Sequence, residues 1–185
     1  MASEFNVGVD TADFQQLAAT LARVGRDMAP ALKRAINHTG DKARTQVVRT
    51  LAKQTGIKYG KVRQVLRTVR AGNASLTYRI AARGGFTSLK EFSARQVGGG
   101  VSAAPWGKRR VFPRAFISPS LGGHVFVRVG KQRFPLHKLF GPALPPEMVK
   151  AETKQAFEQT VASELPARVA FEVESILAGR GPGGG

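Results

Sequence analysis

Two long runs of apolar residues at helical spacing frame this chain, and the stretch between them has a pattern no helix accommodates. The first run starts at Asp27, carries Pro30 in its first turn and repeats Met28, Leu32, Ala35, Ile36, Ala43, Val47 and Leu51 before Gly56. Apolar positions three to four apart line one helix face, and a rise of about 1.5 Å per residue makes this helix roughly 40 Å long. The second run enters through Pro145-Pro146 and Glu147, all suited to a first turn, and repeats Val149, Phe157, Val161, Leu165, Val169, Val173 and Ile176 up to Gly179. It predicts a helix of about 50 Å, kinked at Pro166, where the amide donor is missing and the ring meets the carbonyl four residues earlier. Between the two, glycines cluster at 84–85, 98–100 and 122–123, and apolar residues alternate, as in Leu76-Tyr78-Ile80 and Val125-Val127-Val129. The predicted fold class is therefore α+β, with long amphipathic N- and C-terminal helices packed around a small, mainly antiparallel central β-sheet.

Shorter elements fill in the order. Glu4 to Val9 reads as a strand. A helix capped by Asp10 or Thr11 then carries Phe14, Leu17, Ala18, Leu21 and Val24 to Gly25. Residues 59–67 predict a short third helix, with Val62, Val65 and Leu66 inward and Lys61, Arg63 and Arg67 outward. Further strands are expected around Leu76–Ile80, Leu89–Val97 and Lys108–Phe112. A chain of 185 residues suffices for one domain with a core of its own. The expected layout is a single domain over 1–179, helical over 10–70, sheet and loops over 74–142 and the long helix over 145–178, with 180–185 a disordered tail.

Charge is the strongest compositional constraint. The formal net charge is +17. Residues 141–185 carry four basic against six acidic side chains, so the first 140 residues hold +19, and between Lys42 and Pro146 the only carboxylate is Glu91. Such a field attracts polyanions and makes association salt-dependent. Nucleic acid, an acidic protein or an acidic lumen lining all fit, and the residues expected to face them are Lys42, Arg44, Arg49, Lys53, Lys108, Arg109, Arg110 and Arg114. Trp106, beside three basic residues, suits either stacking on a base or a rim position in the core.

Enzymatic chemistry is not signalled. No carboxylates recur at a nuclease or two-metal spacing, and the glutamates of the last helix are expected on its surface. His38, His124 and His137 lie far apart without companion ligands, and there is no cysteine for a thiolate site, a nucleophile or a disulfide. Gly100 to Lys108 departs from a phosphate-binding loop, with six residues between its glycines where four are needed and Arg109 where a hydroxyl should follow. No cofactor and no small-molecule substrate is expected. Nor is a membrane span, since no run of about 18 apolar residues occurs. The N-terminus shows no basic region followed by an apolar run, so no secretory signal is expected.

The most distinctive stretch runs from Arg114 to Met148. It contains Ala115-Phe116-Ile117, then Gly122-Gly123-His124, then Val125-Phe126-Val127-Arg128-Val129-Gly130-Lys131. Arg133-Phe134-Pro135-Leu136 follows, with Leu139, Gly141, Pro142, Leu144 and Pro145 beyond. The two prolines and the glycine of Phe134 to Pro142 predict an ordered loop outside any regular ladder, carrying four large apolar side chains. Spacing alone fits two roles, plugs for the domain's own core or a docking loop for a neighbouring subunit.

In that order of residues the chain resembles the minor tail protein Z family of long-tailed phages, and more loosely the phage tail completion proteins. It is similar in layout over nearly its whole length, while the central stretch carries the specific match. The resemblance implies a non-enzymatic structural protein of a phage or prophage tail of the siphovirus type. It implies synthesis in the host cytoplasm, a place in the virion at the head-proximal end of the tail, and a role there in completing the tail for head–tail joining and positioning the DNA end. It also implies a ring, hexameric by the sixfold symmetry of such tails and formed by assembly if not by the isolated chain. The implied partners are the tail terminator, tail tube and head connector proteins and the phage DNA end. By position, the docking residues carried over are Phe116, Arg128, Gly130, Lys131, Arg133, Pro135, Leu136, Leu139, Gly141 and Pro142, to which the apolar pattern adds Phe134 and Phe140. The family supplies no catalytic residue.

A second reading from another class is a free basic nucleic-acid-binding protein, a nucleoid or phage regulatory factor whose affinity is mostly phosphate neutralisation. Against it, the chain has no zinc finger, no aromatic RNA-binding signature and no convincing helix-turn-helix.

Overall fold

The structure is a computed structural model in which residues 5–8 and 28–178 are described. The helix expected over 10–24 and the tail over 180–185 lie outside the described residues. The chain divides into two compact units. A helical unit takes residues 6–47, 67–81 and 151–185; a sheet unit takes residues 1–5, 48–66 and 82–150.

In the helical unit, α1 (Met28–Thr55) contributes its first twenty residues, and all seven positions of its predicted stripe are buried along its whole length. The other buried positions among those twenty residues, Ala31, Thr39 and Gly40, are small or hydroxylated, which lets a neighbour come close. That neighbour is α4 (Ala151–Leu177). Leu32 and Ala35 of α1 cluster with Val169, and Leu165, Val173 and Leu76 pack against them. Arg34 pairs with Glu172 at 2.7 Å and Lys42 with Glu164 at 2.5 Å. Numbers rise along α1 as they fall along α4, by the same eight residues, so the two helices run antiparallel.

Three short strands complete this unit. β1 (Phe5–Gly8), β2 (Leu66–Val69) and β3 (Arg79–Ala82) form one sheet with β3 central. The expected alternation of Tyr78 and Ile80 inward against Arg79 outward is present, although the ladder begins only at Arg79. Tyr78 is enclosed, and its hydroxyl donates to Asp41 Oδ1 at 2.8 Å while Arg70 donates to Oδ2 at 2.6 Å. Burial first, and then the Asp41 carboxylate, push the Tyr78 phenol above its usual range, so it remains a donor. Asn37 closes the β2–β3 connection by bonding both backbone groups of Ala71.

Three expectations need correction here. The third helix, α2 (Tyr59–Val65), is shorter than 59–67, because Leu66 and Arg67 leave it for β2. The final helix does not start at Pro145. A short helix, α3 (Leu144–Met148), is separated by Val149 and Lys150 from α4, and α3 belongs to the sheet unit. α3 closes in a tight turn instead, with the Lys150 N–H donating to the Glu147 carbonyl three residues back and the Lys150 ammonium to the Glu147 carboxylate. The glutamates are not all on the surface either. Glu172 is buried, accepting from Arg34 at 2.7 Å and from Arg168 at 2.6 Å. The α4 helix itself continues through Pro166.

The sheet unit contains eight strands. β4 (Phe86–Ser88) pairs with β11 (Phe140–Ala143); β5 (Arg95–Val97), β6 (Gly100–Ala103) and β7 (Arg110–Pro113) form a second sheet; β8 (Ala115–Ser118), β9 (His124–Arg128) and β10 (Leu136–Lys138) form a third. All these pairings are antiparallel, as expected. The single strand expected over Leu89–Val97 is instead a short 3-10 turn, Leu89–Glu91, followed by β5. Leu89 and Phe92 are fully enclosed and plug the interior, which breaks the alternation. The glycine run at 98–100 is a hairpin, since Val97 faces Gly100 across a two-residue Gly98-Gly99 turn with Gly99 at φ +84°. No helix among the described residues is long and apolar enough to cross a membrane.

Candidate interaction surface

The charge is distributed unevenly between the two units. Residues 48–66 and 82–150 hold 17 Lys and Arg against two carboxylates, Glu91 and Glu147. Both carboxylates are already taken. Lys61 lies 2.8 Å from Glu91, and its hydrogen bond is the main cause that holds that carboxyl below its usual range. Lys150 lies 2.6 Å from Glu147. Basic side chains therefore outnumber carboxylates in these segments by fifteen.

The open face of the third sheet brings together three of the twelve docking residues expected from the sequence, Phe116, Arg128 and Leu136. Directly paired residues of an antiparallel ladder point to the same side, and residues two apart along a strand share that side. Phe116 pairs with Phe126, Lys138 with Phe126 and Leu136 with Arg128, so these five side chains share one face. The rings of Phe116 and Phe126 lie 6.3 Å apart, and the Arg128 guanidinium sits 4.8 Å above the Phe116 ring. The Lys138 ammonium lies 5.4 Å from the ring of Phe140, just beyond the strand end, and Phe140 is half exposed. The opposite side carries Ala115 and Val125, both buried. His124 joins the open face, hydrogen-bonded through Nδ1 to Ser88 Oγ at 2.8 Å. Its partial burial, and then Lys138 and Lys90, pull its imidazole below the usual pKa, so it adds no charge at neutral pH.

The segment Phe134 to Pro142 is not the ladder-free loop the sequence suggests. It supplies β10 and most of β11, with Pro142 placed where the β11–β4 register shifts, the position in a sheet that tolerates a residue without an amide donor. Leu139 joins two sheets, its N–H donating to Val125 and its carbonyl accepting from Leu89. Gly141 and Pro142 are interior residues. A β-carbon on Gly141 would overlap the enclosed Phe92 ring, so this glycine is required by packing. Gly130, Lys131, Arg133, Phe134 and Pro135 occupy the exposed β9–β10 connection, where Arg133 lies 5.6 Å from the Phe134 ring.

The basic set is dispersed. Lys42 is committed to Glu164 within the helical unit, and Arg44 of the same unit is half buried. Arg49 and Lys53 are exposed on the part of α1 in the sheet unit. Lys108 is exposed; Arg109 donates to Ser102 Oγ at 3.2 Å; Arg110 lies 4.7 Å from the Phe112 ring and 5.8 Å from the Trp106 ring; Arg114 turns the chain at φ +57°.

Sequence reasoning missed the Glu147 cluster. Glu147 is buried and accepts from the Trp106 indole N–H at 3.0 Å, Gln54 Nε2 at 2.8 Å and Lys150 Nζ at 2.6 Å. Burial alone would push its carboxyl up, but these three donors outweigh it and hold the carboxyl below its ordinary pKa. Trp106 is thereby a rim residue with its N–H engaged and 42% of its surface exposed. Trp106 and Glu147 lie far apart in the sequence, and no local pattern links them.

Among the described residues no three His, Cys, Asp or Glu side chains gather as a metal site would require. The sequence profile of the prophage minor tail protein Z (GPZ) family matches residues 14–178, and the chain belongs to that family. It is thus a phage minor tail protein with a structural role in the tail, a component of the virion that works with other phage tail and head proteins. No curated protein and no solved structure matches it.

Proposed function

We propose that this protein completes the head-proximal end of the tail, so that the tail joins the filled head and the DNA end is held for ejection. The observation that carries this reading is the concentration of 17 basic side chains against two occupied carboxylates in the sheet unit. A surface of that kind suits a position where a tail meets the genome or the acidic patches of a terminator or connector. The protein acts without catalysis, as a ring of six copies that matches tail symmetry. The neighbour-facing residues are those of the exposed connection from Gly130 to Pro135. Its two units unfold as one domain, since α1, β2 and β3 each contribute residues to both.

The test is a phage lacking this gene. The reading expects filled heads and full-length tails that accumulate unjoined, and joining restored when the chain is supplied to extracts. Normal joined particles without the protein would refute it.

A further inference from the structure

We infer that the open face of the β8–β9–β10 sheet is a platform for single-stranded nucleic acid, with Phe126 and Phe140 as stacking surfaces and Arg128 and Lys138 as phosphate partners. The inference deepens the reading above by naming the form of nucleic acid, and it rests on that reading only for its setting in the tail.

Charge alone would favour any polyanion, so the choice rests on what accompanies the charge. Among the described residues, five cation–ring contacts occur in the sheet unit, formed by Arg110 with Trp106 and Phe112, Arg128 with Phe116, Arg133 with Phe134 and Lys138 with Phe140. One of the five, Arg128 with Phe116, lies on this face beside the Phe116–Phe126 pair at 6.3 Å, and a second, Lys138 with Phe140, reaches from it to the first residue of β11. A duplex keeps the faces of its bases stacked on one another and offers phosphates and groove edges, so aromatic rings on a sheet gain no stacking from it. Unstacked bases lie flat on such rings while neighbouring cations meet the backbone, whatever the sequence. An acidic protein would use the cations and leave the rings unmatched. His124 is held neutral and tied to Ser88, and no carboxylate projects from β8, β9 or β10 to repel a phosphate.

The purified full-length chain should be titrated with a labelled 20-nucleotide oligothymidylate, with a 20-base-pair duplex and with polyglutamate, at two salt concentrations. The single strand should bind about tenfold or more tightly than the duplex. Phe140→Leu and Phe126→Leu should each weaken the single strand about tenfold with the duplex unchanged. The tyrosine versions should restore it. Arg128→Gln and Lys138→Gln should weaken both nucleic acids and flatten the salt dependence. Thermal melts of each variant separate lost binding from lost folding, and the tyrosine variants keep the test valid if a leucine variant unfolds. Equal affinity for duplex and single strand, loss of both to the same extent in the ring variants, no binding of either, or tighter binding of polyglutamate would overturn the inference. Head–tail joining is scored separately in extracts, so failure of the platform and failure of the tail-end role are distinguishable.

Discussion

Removing the Glu147 carboxylate should cost stability that vanishes at low pH. Hydrogen bonds to a charged partner contribute about 1.5–3 kcal/mol each, and Glu147 receives three, from Gln54, Trp106 and Lys150. The side chains do not lose equally when it goes. Lys150 is 55% exposed and Trp106 is 42% exposed, so both recover water, and Gln54 keeps its bond to the Glu147 carbonyl at 3.1 Å. Glu147→Gln retains one acceptor oxygen but no charge, and should cost about 2 kcal/mol; Glu147→Leu removes every acceptor and should cost about 3 kcal/mol. The sign with pH follows from the lowered carboxyl pKa. Stability from the ionised group is fully present above the unfolded-state value and is lost as pH falls through the folded-state value. Urea unfolding of the protein and the Gln variant should therefore differ at pH 7, and the difference should shrink as pH falls through and below the ordinary carboxylate range. A gap below about 0.5 kcal/mol at pH 7, within the range of ordinary surface changes, would refute the reasoning, as would a gap that persists in acid.

Other substitutions separate packing from charge. Glu172→Leu should cost about 2–3 kcal/mol, since it strands Arg34 and Arg168 around an apolar site, whereas Lys42→Ala should cost less than about 1 kcal/mol because that ion pair is solvated; thermal unfolding compares the two. Gly141→Ala should cost about 1–3 kcal/mol by forcing the Phe92 ring to move, measured by denaturant titration. Calorimetry should show one unfolding transition, because breaking α1 disrupts both units; two separated transitions would argue against a single domain.

The helices were legible because their signal is long. Seven stripe positions of α1 recur at helical spacing over 24 residues, and the structure buries every one. Short strands fared worse. Leu89 and Phe92 sit in the interior for reasons of packing that no period of two expresses, and β6 begins at a glycine that reads as a turn. The prolines at 135 and 142 argued against ladders, yet each stands where a ladder starts or shifts, and neither costs a paired amide there. On the candidate surface, Phe116, Arg128 and Leu136 were named from the sequence and share a face because their ladder partners put them there. Phe126 and Lys138 join them only through register, and register depends on long-range pairing. Gly141 and Pro142 look like exposed docking residues in a sequence and are interior, since a close approach to Phe92 leaves no local mark.

The most direct test of the tail-end account is cryo-electron microscopy of DNA-filled particles with this protein tagged at its C-terminus, reconstructed around the joint between head and tail. The account predicts a ring of the protein at the head-proximal end of the tail, with Arg128 and Lys138 turned to the terminal DNA density. Particles in which the tag lies elsewhere along the tail, or in which that face meets only protein far from the genome, would contradict it.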